Sequence, residues 1–203
     1  MDTITDDAIA ETAQGRLRGA RQEGIYSFRG VAYGDTTAGG NRFMPPVSPP
    51  PWSGIRDALD YGHRAPQQTA ARTPAIEWIR PSEQTGEDCL VLNIFTPNLD
   101  DGGKRPVMVY LHGGGYTTGA GSAPGLDGTN LAKAGDVVVV TLNHRLNTFG
   151  YTFLGDRGDD RFASAGNAGM LDMVAALRWV RDNIAAFVGD AGNVTIFGQS
   201  GGG

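Results

Sequence analysis

The sequence predicts an α/β fold in which a mixed, mostly parallel sheet carries helices on both faces and is preceded by an antiparallel meander. Three features support this prediction: glycine-broken strands near the N-terminus, later runs of β-branched residues, and a long apolar helix between two of those runs. A strand-helix-strand unit with a parallel crossover covers both faces of its sheet. We expect one domain over residues 1–203, without an internal boundary.

The predicted strands are runs of β-forming residues that stop at glycine or proline. Residues 15–33 are short strands broken by glycines and predict the meander, whereas the proline-rich residues 34–54 predict an irregular surface loop. The later strands are predicted over residues 89–97, 106–115, 136–145 and 193–197. The valine run in the third of these is typical of a strand buried on both faces.

Two helices are predicted between these strands. One is short and lies around residues 127–134, and the other is the long segment over about 169–187. In the long helix, apolar residues recur at steps of three and four and form one stripe, which is the face expected to be buried. That stripe comprises Met170, Val174, Leu177, Val180, Ile184 and Phe187.

Composition and charge exclude several classes of function. The formal net charge of −5 argues against a nucleic-acid-binding surface. No stretch approaches the roughly 20 apolar residues of a membrane span, so no membrane partner is expected. The acidic opening segment MDTITDDAIAET lacks a secretory leader, and the single cysteine, Cys89, forms no internal disulfide. Both features predict a cytoplasmic protein.

The chain ends on NVTIFGQSGGG, in which a β-forming run stops at a glycine and Ser200 is flanked by glycines. Residues 198–202 fit the G-x-S-x-G pattern of a nucleophile elbow, where the serine occupies a strained turn between a strand and a helix. Small residues two positions before and two positions after the serine relieve the clash with neighbouring side chains. Because glycine and serine strings also occur in ordinary loops, the preceding strand strengthens the prediction considerably.

A phosphate-binding turn is the alternative interpretation of the same glycines. Gly198, Gly201 and Gly203 follow a strand, but their G-x-x-G-x-G spacing reverses the dinucleotide fingerprint, and no acidic residue follows to bind a ribose. A Walker-type lysine is also missing. The elbow is therefore the favoured interpretation, and neither a cofactor nor a metal ion is expected.

A second glycine cluster lies at the end of the predicted strand over residues 106–115. His112-Gly113-Gly114-Gly115 would let backbone N–H groups converge on an anion without obstruction by side chains. Alone, such a segment is better explained as a flexible turn in which His112 makes a local hydrogen bond. Together with a serine elbow in the same chain, it favours the HGGG element that forms part of the oxyanion hole in lipases and esterases.

Several long blocks resemble the N-terminal part of the type B carboxylesterase family, which includes cholinesterases and bacterial para-nitrobenzyl esterases. YSFRGVAYG and NRFMPP resemble its opening segment, and NVTIFGQSGGG resembles its elbow. Its core blocks are resembled by GEDCLVLNIFTP, PVMVYLHGGGY, VVVVTLNHRLNTFG and GNAGMLDMVAALRWVRDNIAAFVGD. The resemblance implies an α/β-hydrolase fold and hydrolysis of small-molecule carboxylic esters through an acyl-enzyme on Ser200. It also implies oxyanion-hole donors at the N–H groups of Gly114, Gly115 and Gly201, and a place for Tyr116 in the substrate pocket.

Three positions depart from the family pattern. Gln199 stands where many members have glutamate, which removes a charge beside the serine. Gly201 replaces a common alanine, which keeps the N–H donor and loosens the turn. Ala65 stands where many relatives have a cysteine that pairs with the equivalent of Cys89, so that disulfide does not form here.

Activation of Ser200 requires a general base, which is usually histidine. In α/β-hydrolases the acid and the histidine follow the serine, whereas only three glycines follow Ser200. His63, His112 and His144 are expected to be core or loop residues, with His112 supporting the glycines after it. We therefore expect this chain to be an N-terminal fragment that is truncated after the elbow and is inactive alone. Its expected partner is the missing C-terminal part of the same protein. Without that part, the last strand is expected to form an exposed apolar edge.

A non-catalytic interaction module, as in the cholinesterase-like adhesion proteins, is the alternative function. Those relatives typically lack the serine and are secreted. Here Ser200 is present and no leader is visible, so ester hydrolysis is the favoured function.

Overall fold

The structure is a computed structural model that describes residues 8–68, 74–157 and 159–203. The strands in these ranges are β1 (Ile9–Glu11), β2 (Arg16–Arg18), β3 (Ala20–Gln22), β4 (Ile25–Ala32), β5 (Ile55–Asp57), β6 (Val91–Thr96), β7 (Arg105–Leu111), β8 (Val138–Leu142) and β9 (Gly189–Gly198). The four later strands of the sequence prediction are confirmed as β6 to β9. β7 ends before the glycines, which form a loop because they contribute no side chains to a sheet.

Six of these strands form the main sheet in the order β3-β4-β6-β8-β7-β9. β4 pairs antiparallel with β3 and β6, and β6 pairs antiparallel with β8, whereas β7 pairs in parallel with both β8 and β9. The predicted mixed sheet is confirmed. In the described part of the chain, however, antiparallel pairs outnumber parallel ones, because the N-terminal strands continue the main sheet through the β4–β6 pairing.

The meander predicted over residues 15–33 is antiparallel but is divided between two sheets. β2 pairs antiparallel with β1 and in parallel with β5, and these three strands form a small separate sheet. The chain passes to the main sheet at Gly19, where a Cβ atom would lie 2.5 Å from the carbonyl oxygen of Ser27. Only glycine allows so close a crossing. The acidic opening segment, which the prediction about a leader concerns, lies mostly outside the described residues, which begin at Ala8.

Helices cover both faces of the main sheet, as predicted. The α-helices of the described ranges are α1 (Thr129–Gly135), α2 (Asn147–Tyr151) and α3 (Ala168–Asn183). Val139 of β8 packs in a cluster with Ala132 of α1, whereas the adjacent Val138 packs in another cluster with Trp179 of α3. Successive side chains of a strand point to opposite faces, so α1 and α3 lie on opposite sides of the sheet. None of the helices within these ranges is long and apolar enough to cross a membrane.

The buried face of α3 differs from the predicted apolar stripe. Met170 and Val174 are 39% and 41% exposed. The residues that the helix buries are instead Ala168, Gly169, Asp172, Ala176, Trp179, Val180 and Asn183. The prediction is wrong at the N-terminal half of the helix because Asp172 turns inward to pair with the buried Arg145. Gly169 allows this approach, since a Cβ atom there would lie 2.5 Å from the Arg145 carbonyl oxygen.

Candidate active site

The two glycine motifs lie side by side because β7 and β9 are parallel neighbours. Leu111, the last residue of β7, pairs in register with Gly198, the last residue of β9. The carboxyl ends of parallel strands open at the same edge of a sheet, so the segments that follow them meet there. The glycine loop, residues 113–119, follows β7, and the elbow, residues 198–202, follows β9.

Ser200 occupies a sharp turn at the end of β9. Its φ is +55°, in the left-handed region that residues with a side chain rarely adopt, and Ser200–Gly202 form one turn of 3₁₀-helix. Such conformations cost about 1–3 kcal/mol and cluster at functional sites. The serine is exposed. The G-x-S-x-G motif therefore lies in a strained turn directly after a strand, which is the local structure that the sequence predicts for it.

Gly198 and Gly202 are the residues that make this turn sterically possible. A Cβ atom at Gly198 would overlap the carbonyl group of Gly202 and would lie 2.7 Å from the carbonyl oxygen of Leu111. A Cβ atom at Gly202 would overlap the same Leu111 carbonyl and would lie 2.7 Å from the His112 carbonyl oxygen. The elbow is therefore packed backbone against backbone on the end of β7, as expected for small residues at these two positions.

The glycine loop is shaped by its own hydrogen bonds. Gly114 and Gly115 have φ values of +112° and +58°, which favour glycine. The Gly114 carbonyl accepts hydrogen bonds from the backbone N–H groups of Thr117 (3.0 Å) and Thr118 (3.2 Å) and from the Thr117 hydroxyl (2.9 Å). Within the described ranges, the N–H groups of Gly114 and Gly115 donate to no other group. They are therefore available to an anionic ligand.

The elbow and the glycine loop are in direct contact. A Cβ atom at Gly201 would lie 3.2 Å from the Gly115 nitrogen and 3.6 Å from the Tyr116 nitrogen. On the other flank of the serine, the Gln199 carbonyl oxygen lies 2.7 Å from the position of a Cβ atom on Gly113. The structure thus brings the two neighbours of Ser200 against the glycine loop, Gly201 at Gly115 and Gln199 at Gly113, although the sequence separates the two segments widely.

Tyr116 lies at the outer side of the glycine loop. Its φ is +60°, its ring contacts that of Tyr151 with centroids 5.3 Å apart, and it is 40% exposed. Its carbonyl accepts a hydrogen bond from the backbone N–H of Asn147 at 2.9 Å. The Tyr116 backbone is therefore next to Gly201 of the elbow, whereas its side chain belongs to an aromatic pair at the surface.

A cavity of about 290 Å³ lies beside the elbow and the glycine loop. Its wall includes Gln199 and Tyr110 together with Gly113 and Gly114, whereas Tyr116 does not line it. Its polar lining includes the charged side chains of Arg64, Glu77 and Arg80 and the amide of Gln67. Sequence reasoning missed these cavity residues, because they come from distant segments and carry no local motif.

The described histidines do not take the position of a general base. The rings of His112 and His144 are buried and stacked, with centroids 4.8 Å apart. Burial lowers the pKa of His112 to about 3 and that of His144 to about 4, so both are neutral at pH 7. The Nδ1 atom of His112 lies 2.7 Å from the Gly113 carbonyl oxygen and donates to it, which supports the glycine loop. His63 is exposed, and its ring packs on Gly86.

Comparison with known proteins identifies the family. A model described as the carboxylesterase family matches residues 6–203. Phenmedipham hydrolase of Pseudarthrobacter oxydans is 43% identical over 194 residues, and para-nitrobenzyl esterase of Bacillus subtilis is 41% identical over 195 residues. Each alignment covers 96% of this chain and 38% of the relative. Neuroligin-2 of Mus musculus is 37% identical over 232 residues, covering 96% of this chain and 27% of that protein.

Solved structures agree with this assignment. The carboxylesterase EST55 of Geobacillus stearothermophilus at pH 6.2 superposes with a TM-score of 0.88 and 48% identity, covering 96% of this chain and 38% of that one. An esterase from Clostridium hathewayi that can hydrolyze aliphatic aromatic polyesters gives a TM-score of 0.91 and 43% identity, covering 100% and 40%. The chain thus has the α/β-hydrolase fold and spans about 38% of the length of these curated relatives. It belongs to the carboxylesterase family.

Proposed function

We propose that the protein containing this chain hydrolyses carboxylic esters, with Ser200 as the nucleophile. The observation that carries the proposal is the contact between a strained serine elbow and a glycine loop with two unpaired N–H groups. Ser200 Oγ attacks the ester carbonyl carbon and loses its proton to a general base, and the C–O bond then breaks so that the alcohol leaves with a proton. Water hydrolyses the resulting acyl-serine and releases the acid.

The N–H groups of Gly114, Gly115 and Gly201 are proposed to stabilise the oxyanion of the tetrahedral intermediate. Gly114 and Gly115 are free of internal partners in the described part of the chain, and Gly201 lies against Gly115. Donors fixed in place before the reaction stabilise developing negative charge without reorganising. Removing one donor of this kind from a protease raised the activation free energy by about 2.7–4 kcal/mol.

The general base is proposed to come from residues beyond Gly203. In this fold the triad acid and histidine follow the serine in sequence. His112 and His144 are buried, and their lowered pKa values keep them from accepting a proton at neutral pH. The curated relatives are more than twice as long as this chain, which leaves room for both groups. We accordingly propose that residues 1–203 alone do not turn over an ester.

The cavity beside Gln199 is proposed to hold one part of the ester. Its volume of about 290 Å³ lies just below the range of about 300–1,000 Å³ for small-molecule pockets, which favours a small substrate group. Gln199 adds no charge to the wall, and Arg64 and Arg80 outnumber Glu77. A neutral or anionic group is therefore favoured there over a cationic one.

Covalent labelling tests the nucleophile. A fluorophosphonate probe should label the full-length protein at Ser200, and Ser200→Ala should abolish both the labelling and the turnover of a nitrophenyl ester. Ser53→Ala removes a hydroxyl from an exposed serine and is the matched control, which should keep both activities. Labelling at another residue, or turnover that persists in Ser200→Ala, would refute the assignment.

An interaction module is the second candidate function, because neuroligin-2 is among the relatives. Ser200 and the unpaired N–H groups of the glycine loop have no evident use in such a module. A full-length protein that folds, carries Ser200 and yet resists labelling would favour this second function over hydrolysis.

A further inference from the structure

The glycine loop is held from outside by a side-chain amide that sequence reasoning missed. Gln67 Nε2 donates to the Gly119 carbonyl at 2.8 Å, and Gln67 Oε1 accepts from the Gly119 N–H at 2.8 Å. The same nitrogen also donates to the Ala65 carbonyl at 3.0 Å. Gln67 therefore pairs with both main-chain groups of Gly119, as a neighbouring strand would, and ties the end of the loop to a segment 52 residues away.

Gly119, at the end of the loop, packs closely against the residues at its start. Its φ is +108°, and a Cβ atom there would lie 2.5 Å from the Gly113 carbonyl oxygen and 2.5 Å from His112 Nδ1. A Cβ atom at Gly114 would in turn overlap the Thr118 carbonyl group. The two ends of the loop are thus in backbone contact, so a displacement of Gly119 has to displace Gly113 and Gly114.

Asn147 ties the middle of the loop to the same outside segment. Its Nδ2 donates to the Thr117 carbonyl at 2.8 Å and to the Pro66 carbonyl at 3.2 Å, and its backbone N–H donates to the Tyr116 carbonyl at 2.9 Å. The segment is therefore linked to the loop twice, directly through Gln67 and, from the Pro66 carbonyl, through the side chain of Asn147. Asn147 bonds the loop through its backbone N–H as well as its side chain, whereas the bonds of Gln67 to the loop use its side chain. A substitution at Gln67 therefore removes this restraint and leaves the main-chain hydrogen bond of Asn147 in place.

We propose that Gln67 is a positioning residue for the reaction. Its pairing with Gly119 fixes the glycine loop so that the N–H groups of Gly114 and Gly115 face the elbow before substrate binds. This inference rests on the proposed ester hydrolysis. Displacing a catalytic group by about 1 Å lowers the reaction rate by about 10²-fold. A loosened loop should therefore weaken the stabilisation of the transition state more than the binding of the substrate.

The first test replaces the amide with an apolar side chain of similar length in the full-length protein. Gln67→Met should lower kcat by about 10- to 100-fold with KM changed less than about twofold, because an interaction of the transition state is lost. The affinity for a trifluoromethyl ketone, whose hemiketal oxyanion occupies the same donors, should fall by a similar factor. Gln22→Met, at an exposed glutamine of β3, is the matched control and should leave both values unchanged.

The second test uses the conservative variant. In Gln67→Glu the ionised carboxylate still accepts from the Gly119 N–H but opposes the Gly119 carbonyl, whereas the protonated acid donates to that carbonyl again. The ratio of variant to wild-type kcat should therefore rise as the pH is lowered toward 5. A purely structural role for Gln67 would leave this ratio independent of pH.

Amide hydrogen exchange separates this inference from the proposed function. Faster exchange over residues 113–119 in Gln67→Met than in Gln22→Met is expected whether or not the protein hydrolyses esters. If the wild type is not labelled at Ser200, the proposed function fails and the exchange comparison still decides the role of Gln67. Unchanged exchange, or kcat and ketone affinity within twofold of Gln22→Met in an active enzyme, would overturn the proposal.

Discussion

The buried ion pair between Arg145 and Asp172 provides the sharpest test of how the fold is held together. The two side chains are 1% and 0% exposed. Asp172 accepts hydrogen bonds from the Arg145 backbone N–H (2.9 Å), Nε (2.8 Å) and Nη2 (2.6 Å). In Asp172→Asn, one of these acceptors becomes an NH₂ group that faces a donor, and the guanidinium remains buried without a counter-charge.

The expected cost follows from these contacts. Loss of one hydrogen bond to a charged group removes about 1.5–3 kcal/mol, and breaking a buried pair from one side costs about 3–5 kcal/mol in total. The free energy of unfolding of full-length Asp172→Asn should fall by that amount in urea titrations followed by the fluorescence of the buried Trp179. The double variant Arg145→Met/Asp172→Leu should recover part of the loss, because no unpaired charge remains.

A matched substitution on the same helix controls this experiment. Asp182 pairs with Arg181 at 2.7 Å, but the two side chains are 50% and 66% exposed. Asp182→Asn should therefore cost less than about 1 kcal/mol, as surface pairs generally do. If Asp172→Asn were no more destabilising than Asp182→Asn, the burial of Asp172 in place of the predicted apolar stripe could not be attributed to the Arg145 pair.

Three further predictions concern the site and its surroundings. The pKa values of His112 and His144, about 3 and about 4, lie below the ordinary 6.5, so the unfolded chain binds more protons than the folded one at acidic pH. The free energy of unfolding should therefore fall as the pH is lowered from about 6.5 toward 4. His112→Asn should reduce the dependence of this free energy on pH. Cys89 is fully buried, and burial raises the pKa of its thiol from 9.0 to about 12. An aromatic disulfide reagent should therefore react about a thousandfold more slowly with the native protein than with the urea-unfolded protein. A prompt reaction of the native protein would contradict this burial. Gly202→Ala places a Cβ atom on the Leu111 carbonyl and should slow fluorophosphonate labelling of Ser200 by about 10²-fold or more, whereas Gly40→Ala, at a site with open space, should not change it.

The main sheet and the elbow could be predicted from sequence because both depend on local patterns. Uninterrupted valines predict β8 regardless of what packs on it, and all five residues of that strand are buried. The strand that stops at Gly198 likewise predicts a tight turn at Ser200, whose left-handed backbone the structure contains. In both cases the residues that define the feature are adjacent in the chain.

Features that depend on distant partners could not be predicted in this way. The apolar stripe predicted the wrong buried face for the N-terminal half of α3, because that face is determined by the ion pair of Asp172 with Arg145, 27 positions earlier. Tyr116 lies within the glycine loop but does not line the cavity, whose wall includes Arg64 and Arg80 from other segments. The amide of Gln67 has no motif at all, since its partner Gly119 is identified only when the chain is folded.

The position of β9 links the candidate site to the stability of the sheet. β9 pairs with β7 on one side and forms the edge of the six-stranded sheet on the other, where Ile196 is 50% exposed. The strained backbone at Ser200 is therefore supported in this chain by the packing of Gly198 and Gly202 on the end of β7. A slip of one residue in the β7–β9 register would reverse the side chains of β9 and separate the elbow from the glycine loop. Geometry at the proposed nucleophile thus depends on the same strand pairing that determines whether β9 remains in the sheet.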